Sequence, residues 1–396
     1  MKPSTSLTAM ITGIEKFIKN PPPRLKGKRL GLLCNQASTD RHLRHSRYLV
    51  DAALPGSLTC LFSPQHGFYA EKQDNMVESS HSWDNDLNIP VFSLYGESRK
   101  PSFEMFDRLD VLLVDLIDVG TRVYTFMSTL AYCLEAAARW GKTVMVLDRP
   151  NPLGGLKVEG NLVESDCRSF VGLYPLPMRY GLTLAELGWL FNHHFGTGAD
   201  YEVVSMDGWR RDMYFKDTGI PWIPPSPNMP TPDTALVYPG QVIWEGTNIS
   251  EGRGTTLPFQ LFGAPFLKPE EIVERLDETD FAGANLRRMD FQPVFHKWAG
   301  NVCHGFQLHV SEPADFSPYR LSLALLQVIS RCYSDSFALK EPPYEYEQER
   351  LPLDLILGSE TVRRAILAGE EIRDIENGWQ EDLAEFDELR REYFLY

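Results

Sequence analysis

The chain has 396 residues, 43% hydrophobic and 23% charged, the make-up of an ordinary globular protein with room for two domains. Its net charge of −15 and pI near 5.1 lack the basic footprint that phosphate backbones require, which excludes nucleic acid as an expected partner. No run approaches the roughly 20 apolar residues needed to span a bilayer, and the six scattered cysteines form neither a disulfide scaffold nor a close-paired zinc pattern.

The amino-terminal segment reads as an amphipathic helix over about Leu7–Ile18, broken by Glu15 and Lys16 and so unlike a signal peptide; a cytoplasmic location with reduced thiols is expected. Short apolar runs then alternate with helical patterns. Arg29–Gln36, Leu58–Gly67, Val91–Gly96, Asp110–Gly120, Thr143–Pro150 and Tyr201–Met206 read as strands. The unbroken apolar run in Asp110–Gly120 is what burial on both faces of a parallel sheet requires. Helices are predicted at Pro101–Leu109, Thr125–Trp140 and Leu182–Phe195, the last capped by Thr183. This β-α-β alternation predicts an open, mostly parallel sheet with helices on both faces.

In such a sheet ligands bind outside the carboxyl ends of the strands. Hydrogen-bonding residues collect there: Asn35, Gln65, His66, Asp115, Asp118, Asp148, Arg149 and Asn151. Four such strand ends suggest one common crevice. The proline-rich stretch 221–240 reads as a rigid crossover or a crevice wall. It runs into WEGTNISEGRGTT, Trp244–Thr256, which packs Glu245, Asn248, Glu251, Arg253 and three glycines into one polar loop. From about Lys268 the texture changes, with helices at Pro269–Asp277 and Arg320–Tyr333, strands around FQPVF and GFQLHV, and an acidic helical tail.

Neither a GxGxxG nor a GxxxxGK[ST] loop is present, which counts against nucleotide binding, and no GxSxG elbow occurs. No cofactor and no metal are expected. Carboxylates, amides and aromatics without those motifs point instead to sugar chemistry, where two carboxyl groups flank the scissile bond. Glu245, Glu251 and Glu71 are the glutamates beside glycines and amides, and Tyr69, Tyr95, Tyr124, Trp222 and Trp244 are of the type that packs on sugar rings.

The segments SPQHG, SLYG, DVGTRVYTFMSTL, VLDRPNPLGG, SFVGLYPLPMRYGLT, PWIPPSPNMPT and EGTNISEGRGTTLPFQLFGAPF resemble, in order and over nearly the whole chain, the NamZ-like exo-β-N-acetylmuramidases. The resemblance implies a Rossmann-like, mostly parallel α/β domain (residues 1–266) and a smaller α+β carboxyl-terminal domain (267–396) closing a cleft. It implies release of terminal β-1,4-linked N-acetylmuramic acid from non-reducing ends of peptidoglycan fragments. One departure stands out. Where many members carry PEHG, this chain has Pro64-Gln65-His66-Gly67, and an amide is not a carboxylic acid. Either another carboxylate is the acid while Gln65 orients substrate or water, or Glu71 replaces it, or hydrolysis is lost.

The reading is therefore a glycosidase acting on a muramic-acid-containing saccharide. Glu245 or Glu71 is the expected acid/base, with Asp115 and His66 in the acid/base network. Gln65, Asn35, Asp118, Tyr124, Asp148, Arg149, Asn151, Asn228, Asn248, Glu251 and Arg253 are the expected substrate-binding groups. Arg253 is the expected partner of the lactyl carboxylate, whose two oxygens match its fork. A catalytically inactive sugar-binding homologue, or a nucleotide- or phosphosugar-binding α/β protein, is the alternative.

Overall fold

The computed structural model describes residues 10–73 and 76–396. Seven strands form the larger sheet: β1 (Leu30–Leu33), β2 (Leu58–Ser63), β3 (Ser82–Asp84), β4 (Ile89–Ser93), β5 (Val111–Val114), β6 (Thr143–Leu147) and β7 (Asp200–Val204). Their order is β3-β4-β2-β1-β5-β6-β7, and every pair is parallel except β3 with β4. The apolar runs explain the burial. In β5, Val111 and Leu113 join the core beneath the helices Gly13–Lys19 and Ser46–Ala53, while Leu112 and Val114 join the core beneath Phe126–Trp140 and Leu184–His193. The expected mostly parallel α/β sheet is present.

The smaller sheet is antiparallel, with β8 (Leu261–Ala264), β9 (Ala284–Phe291) and β10 (Cys303–Val310) in the order β8-β10-β9. The strand expected around FQPVF lies earlier, ending at Phe291 before Pro293. Two other expectations shift. The run Asp110–Gly120 is strand only to Val114, so Asp115 and Asp118 lie on the chain beyond it. The proline-rich stretch is irregular as far as Thr231, then forms the helix Pro232–Gln241, with Pro232 at the first turn where its missing N–H is harmless. The amino-terminal helix begins at Gly13, capped by Thr12 and Glu15; Leu7 to Ala9 of the expected helix lie outside the described residues.

A buried guanidinium ties the carboxyl-terminal helices to the sheet. Arg122 is fully buried and donates to the carbonyls of Asn161 and Leu176 at 2.9 Å and of Ile356 at 2.8 Å. Burial lowers its pKa to about 10, still charged at neutral pH. Five cysteines are buried, Cys332 is exposed, and all six are free thiols.

Asp148, at the end of β6, performs a related task. It accepts from the Thr183 hydroxyl (2.8 Å), the Ala185 N–H (3.1 Å) and the hydroxyl of Tyr396 (2.7 Å), joining the start of one helix to the last residue of the chain. Burial first, then the nearby Glu186, pushes its carboxyl from 3.8 up to about 7. The native state thus keeps a proton that the unfolded chain has lost. This group's contribution to stability is full below about pH 4 and is lost as pH rises through about 7. Urea denaturation of Asp148→Asn, which keeps the acceptor oxygen, should show its stability relative to wild type improving from pH 4.5 to pH 8. A difference that does not change with pH would contradict this.

Candidate active site

The pocket that gathers six of the fifteen sequence-predicted groups lies off the carboxyl ends of β2 and β5, where the carboxyl-terminal part of the chain folds over them. Gln65 and His66 come from the loop after β2. Tyr124 and Thr125 precede the helix Phe126–Trp140, and Ser226 and Asn228 come from the proline-rich crossover. Glu245, Arg253 and Phe259 come from the loop beyond the helix Pro232–Gln241, and Tyr344 and Glu345 from a distant segment. The free volume is about 40 Å³, space for a water or two. Three wall residues, His66 (φ 75°), Phe259 (φ 61°) and Glu345 (φ 46°), hold left-handed backbone. That conformation costs non-glycine residues on the order of 1 kcal/mol or more each and concentrates at functional sites.

Glu245 ends a single 3-10 turn, Val242–Gly246, that continues the helix before it. One carboxylate oxygen pairs with Arg253 Nη2 at 2.7 Å and the other accepts the Tyr344 hydroxyl at 2.7 Å. Arg253 Nε lies 3.2 Å from Glu251 Oε1, an ion pair without hydrogen-bond alignment between those two atoms. Burial opposes ionisation of Glu251, but Lys297 at 2.8 Å, His296 at 3.3 Å and Arg253 together hold its carboxyl far below the usual range. Lys297 also donates to the carbonyls of Trp244 (2.6 Å) and Ile249 (3.0 Å), which locks the loop that carries Glu245.

Glu345 has a different setting. Its Oε2 accepts the Tyr95 hydroxyl at 2.6 Å and its Oε1 accepts Gln65 Nε2 at 3.1 Å. Gln65 is oriented in turn by the Thr125 hydroxyl, which donates to Gln65 Oε1 at 2.5 Å. Burial, then the nearby charge of Glu245, raises the Glu345 carboxyl above its usual range, against the Tyr95 and Gln65 hydrogen bonds. His66 donates from Nδ1 to the Lys72 carbonyl at 2.8 Å, which fixes the orientation of the ring.

Other predicted residues stand apart from this pocket. Asp115 is sealed in a bidentate pair with Arg149 (2.5 and 2.8 Å), with Ser46 on one of its oxygens, and Arg149 also donates to the Thr39 carbonyl. These groups fill the point between β1 and β5 where the strand order reverses, so the single crevice expected from four strand ends is not formed there. Asn35 is used on the Pro225 carbonyl and the Ala37 N–H, and Asn151 on the Leu182 carbonyl and the Leu153 N–H. Asp148 is used on the helix cap described above. Asp118 is buried against Tyr180 and the Gly120 N–H, and burial raises it to about 6. Glu251 buttresses Arg253 from outside the pocket, and Asn248 bonds Ser336 and Ala338. Glu71 is exposed, its carboxylate packed over Gly67.

Sequence reasoning missed Glu345, Tyr344, Thr125, Ser226 and Tyr238. The available signal was the run PPYEYE at 342–347, an acid between aromatics just after a rigid Pro-Pro step. No group of three or more metal-ligating side chains occurs among the described residues.

The Glu251 network yields a stability prediction. Removing one partner of a buried ion pair costs about 3–5 kcal/mol. Lys297→Met should therefore lose about 3 kcal/mol in urea denaturation; a loss near that of a surface pair, under about 1 kcal/mol, would contradict the buried network.

Comparison with known proteins supplies the relationship. The family description of the amino-terminal domain of exo-β-N-acetylmuramidase NamZ matches residues 30–233, and that of its carboxyl-terminal domain matches 236–396. The peptidoglycan β-N-acetylmuramidase NamZ of Bacillus subtilis (strain 168) is 40% identical over 385 residues, spanning 97% of this chain and 91% of that protein. A DUF1343 family protein of known structure from Bacteroides fragilis NCTC 9343 is 33% identical with a TM-score of 0.88, covering 98% of this chain and 99% of that one. A second DUF1343 protein from that organism is 26% identical with a TM-score of 0.76, at the same coverage. The chain belongs to the NamZ exo-β-N-acetylmuramidase family.

Proposed function

We propose that this protein is an exo-acting β-N-acetylmuramidase, releasing terminal N-acetylmuramic acid from the non-reducing ends of peptidoglycan fragments. The observation that carries the reading is the buried Glu245 carboxylate, held by Arg253 and Tyr344 in a pocket at the carboxyl edge of the sheet. A carboxylate fixed in a water-poor pocket is what glycoside hydrolysis needs opposite the proton donor, as base toward water or as nucleophile toward the anomeric carbon. The relatedness to the Bacillus subtilis enzyme supports the substrate class.

In this reading Arg253 has a changed part. Its guanidinium is engaged by two carboxylates, so its first task is to hold and aim Glu245. Asn228 donates to the Gln73 carbonyl at 2.7 Å and, with Tyr124, Ser226 and His66, lines the space available to a sugar. The free volume holds only a water or two, so this reading requires the pocket walls to part for a sugar ring. The exposed Glu71 is the weaker candidate for acid/base work, because it does not line the pocket that holds Glu245.

A chromogenic β-N-acetylmuramide measures the assignment. Wild type should turn it over, and Glu245→Gln should lose on the order of 1,000-fold in kcat with its fold intact, as removal of an electrostatic or nucleophilic group does. Full activity in Glu245→Gln would remove Glu245 from the mechanism; sugar binding in calorimetry without turnover by wild type would favour an inactive homologue.

A further inference from the structure

We propose that Glu345 is the general acid of this glycosidase and that Gln65 is a positioning residue that aims its carboxyl. The proposal rests on the muramidase reading of the pocket and adds the proton donor that this reading leaves open.

Two glutamates share the pocket. Glu245 is paired with a guanidinium, whereas the carboxyl oxygens of Glu345 meet a phenol and an amide. Both line the same small cavity, and both residues are about 5% exposed. Two carboxylates in one water-poor cavity cannot both be charged unless each has a counter-charge. Arg253 pairs with the Glu245 carboxylate, whereas the cation near Glu345, Arg99, is bonded to its backbone carbonyl at 3.3 Å, so Glu345 is the member that keeps a proton. A carboxyl without a bonded cation beside one paired with a guanidinium marks the acid and the base.

Gln65 decides where that proton points. The Thr125 hydroxyl occupies the amide oxygen, which turns the amide nitrogen toward Glu345 Oε1. Tyr95 fixes the other oxygen. The neutral amide adds no charge, so it holds the carboxyl without forcing it to ionise. The left-handed backbone of Glu345, between Tyr344 on Glu245 and Tyr346 under Arg99, shows that the segment is held in place at a conformational cost.

The step balances as follows. The glycosidic C–O bond breaks, its electron pair stays with the leaving oxygen, and that oxygen takes the proton of Glu345. The anomeric carbon takes an oxygen either from a water whose proton passes to Glu245, or from Glu245 itself. In the second course a water then hydrolyses the ester, giving its proton to Glu345. No co-reactant beyond water is required.

The test uses leaving groups of different need. Wild type and Glu345→Gln are compared on an N-acetylmuramyl–N-acetylglucosamine disaccharide, whose leaving alkoxide must be protonated, and on 2,4-dinitrophenyl β-N-acetylmuramide, whose phenolate leaves unaided. Glu345→Gln should lose at least about 100-fold in kcat/KM on the disaccharide and less than about tenfold on the aryl glycoside, and lose the alkaline limb of its pH profile. Gln65→Leu should lower kcat on the disaccharide about tenfold, with KM and the aryl rate close to wild type. Equal losses on both substrates, or none on the disaccharide, would overturn the proposal. If Glu345→Gln fails to fold by circular dichroism, Glu345→Asp is compared on the same two substrates, with the same expected bias and the same overturning result. Wild type inert on both substrates would instead overturn the muramidase reading, and this proposal with it.

Discussion

The cost of burying a carboxylate governs the site. An ionised carboxylate removed from water is unfavourable by several kcal/mol unless charge or hydrogen bonds replace its hydration. Four buried carboxyl groups, two of them in the pocket, each meet that cost in a different way. Asp115 takes Arg149 in a bidentate pair, and Glu251 takes Lys297, His296 and Arg253. Glu245 has Arg253 and Tyr344, and Glu345 has Tyr95 and Gln65. Only the last lacks a cation on its carboxyl. That inequality is what gives two glutamates in one cavity different chemistry.

The fold supplies the inequality by bringing distant loops to one edge. The segment that bears Tyr344 and Glu345 is fastened to the loop that bears Glu245, since Lys340 N–H donates to the Gly246 carbonyl at 2.9 Å and Thr247 bridges Leu339. The sheet contributes Gln65 through the turn after β2, where Gly67 at φ 84° allows the chain to double back beneath Glu71. Arg122, bound to three carbonyls, keeps the helix Pro352–Leu357 against the sheet domain and so steadies the strand of chain that reaches the pocket. Hydrogen bonds between residues 280 apart, as between Gln65 and Glu345, depend on this docking.

Much of the sheet was legible because burial on both faces demands unbroken apolar runs, and LGLL, VLLV and TVMVL leave little else to form. The helix Leu184–His193 was legible through its Thr183 cap, whose hydroxyl accepts the Glu186 N–H; the reciprocal bond from the Thr183 N–H to the Glu186 carboxylate adds to it. In the site, the loop Trp244–Arg253 and the residues Gln65 and His66 carried polar density that sequence can display. Asp115, Arg149, Asn35 and Asn151 carried the same density, yet their partners are each other and nearby backbone. A sequence displays polar groups at strand ends without saying whether their hydrogen bonds are already spent. Glu345 escaped for the opposite reason: one acid in an acidic, aromatic segment acquires meaning only through Tyr95 and Gln65, which tertiary packing alone brings near.

The presence of Gln65 follows the same logic. A glutamate at this position would set a second carboxyl about 3 Å from Glu345, the present amide distance being 3.1 Å. Such a pair shares a proton and titrates as a unit, with one carboxyl pushed far up and the other down. With glutamine, Glu345 meets a donor that stays neutral at every pH, and its proton is not shared with position 65. The acid's strength is then set by burial and by Glu245, balanced by two hydrogen bonds and the nearby charge of Arg99, which favour the charged form. A substitution that removes an ionisable group from one wall thus concentrates proton transfer on the opposite wall. The hydrogen bonds from Thr125 to Gln65 and from Gln65 to Glu345 make that opposite wall part of the same site.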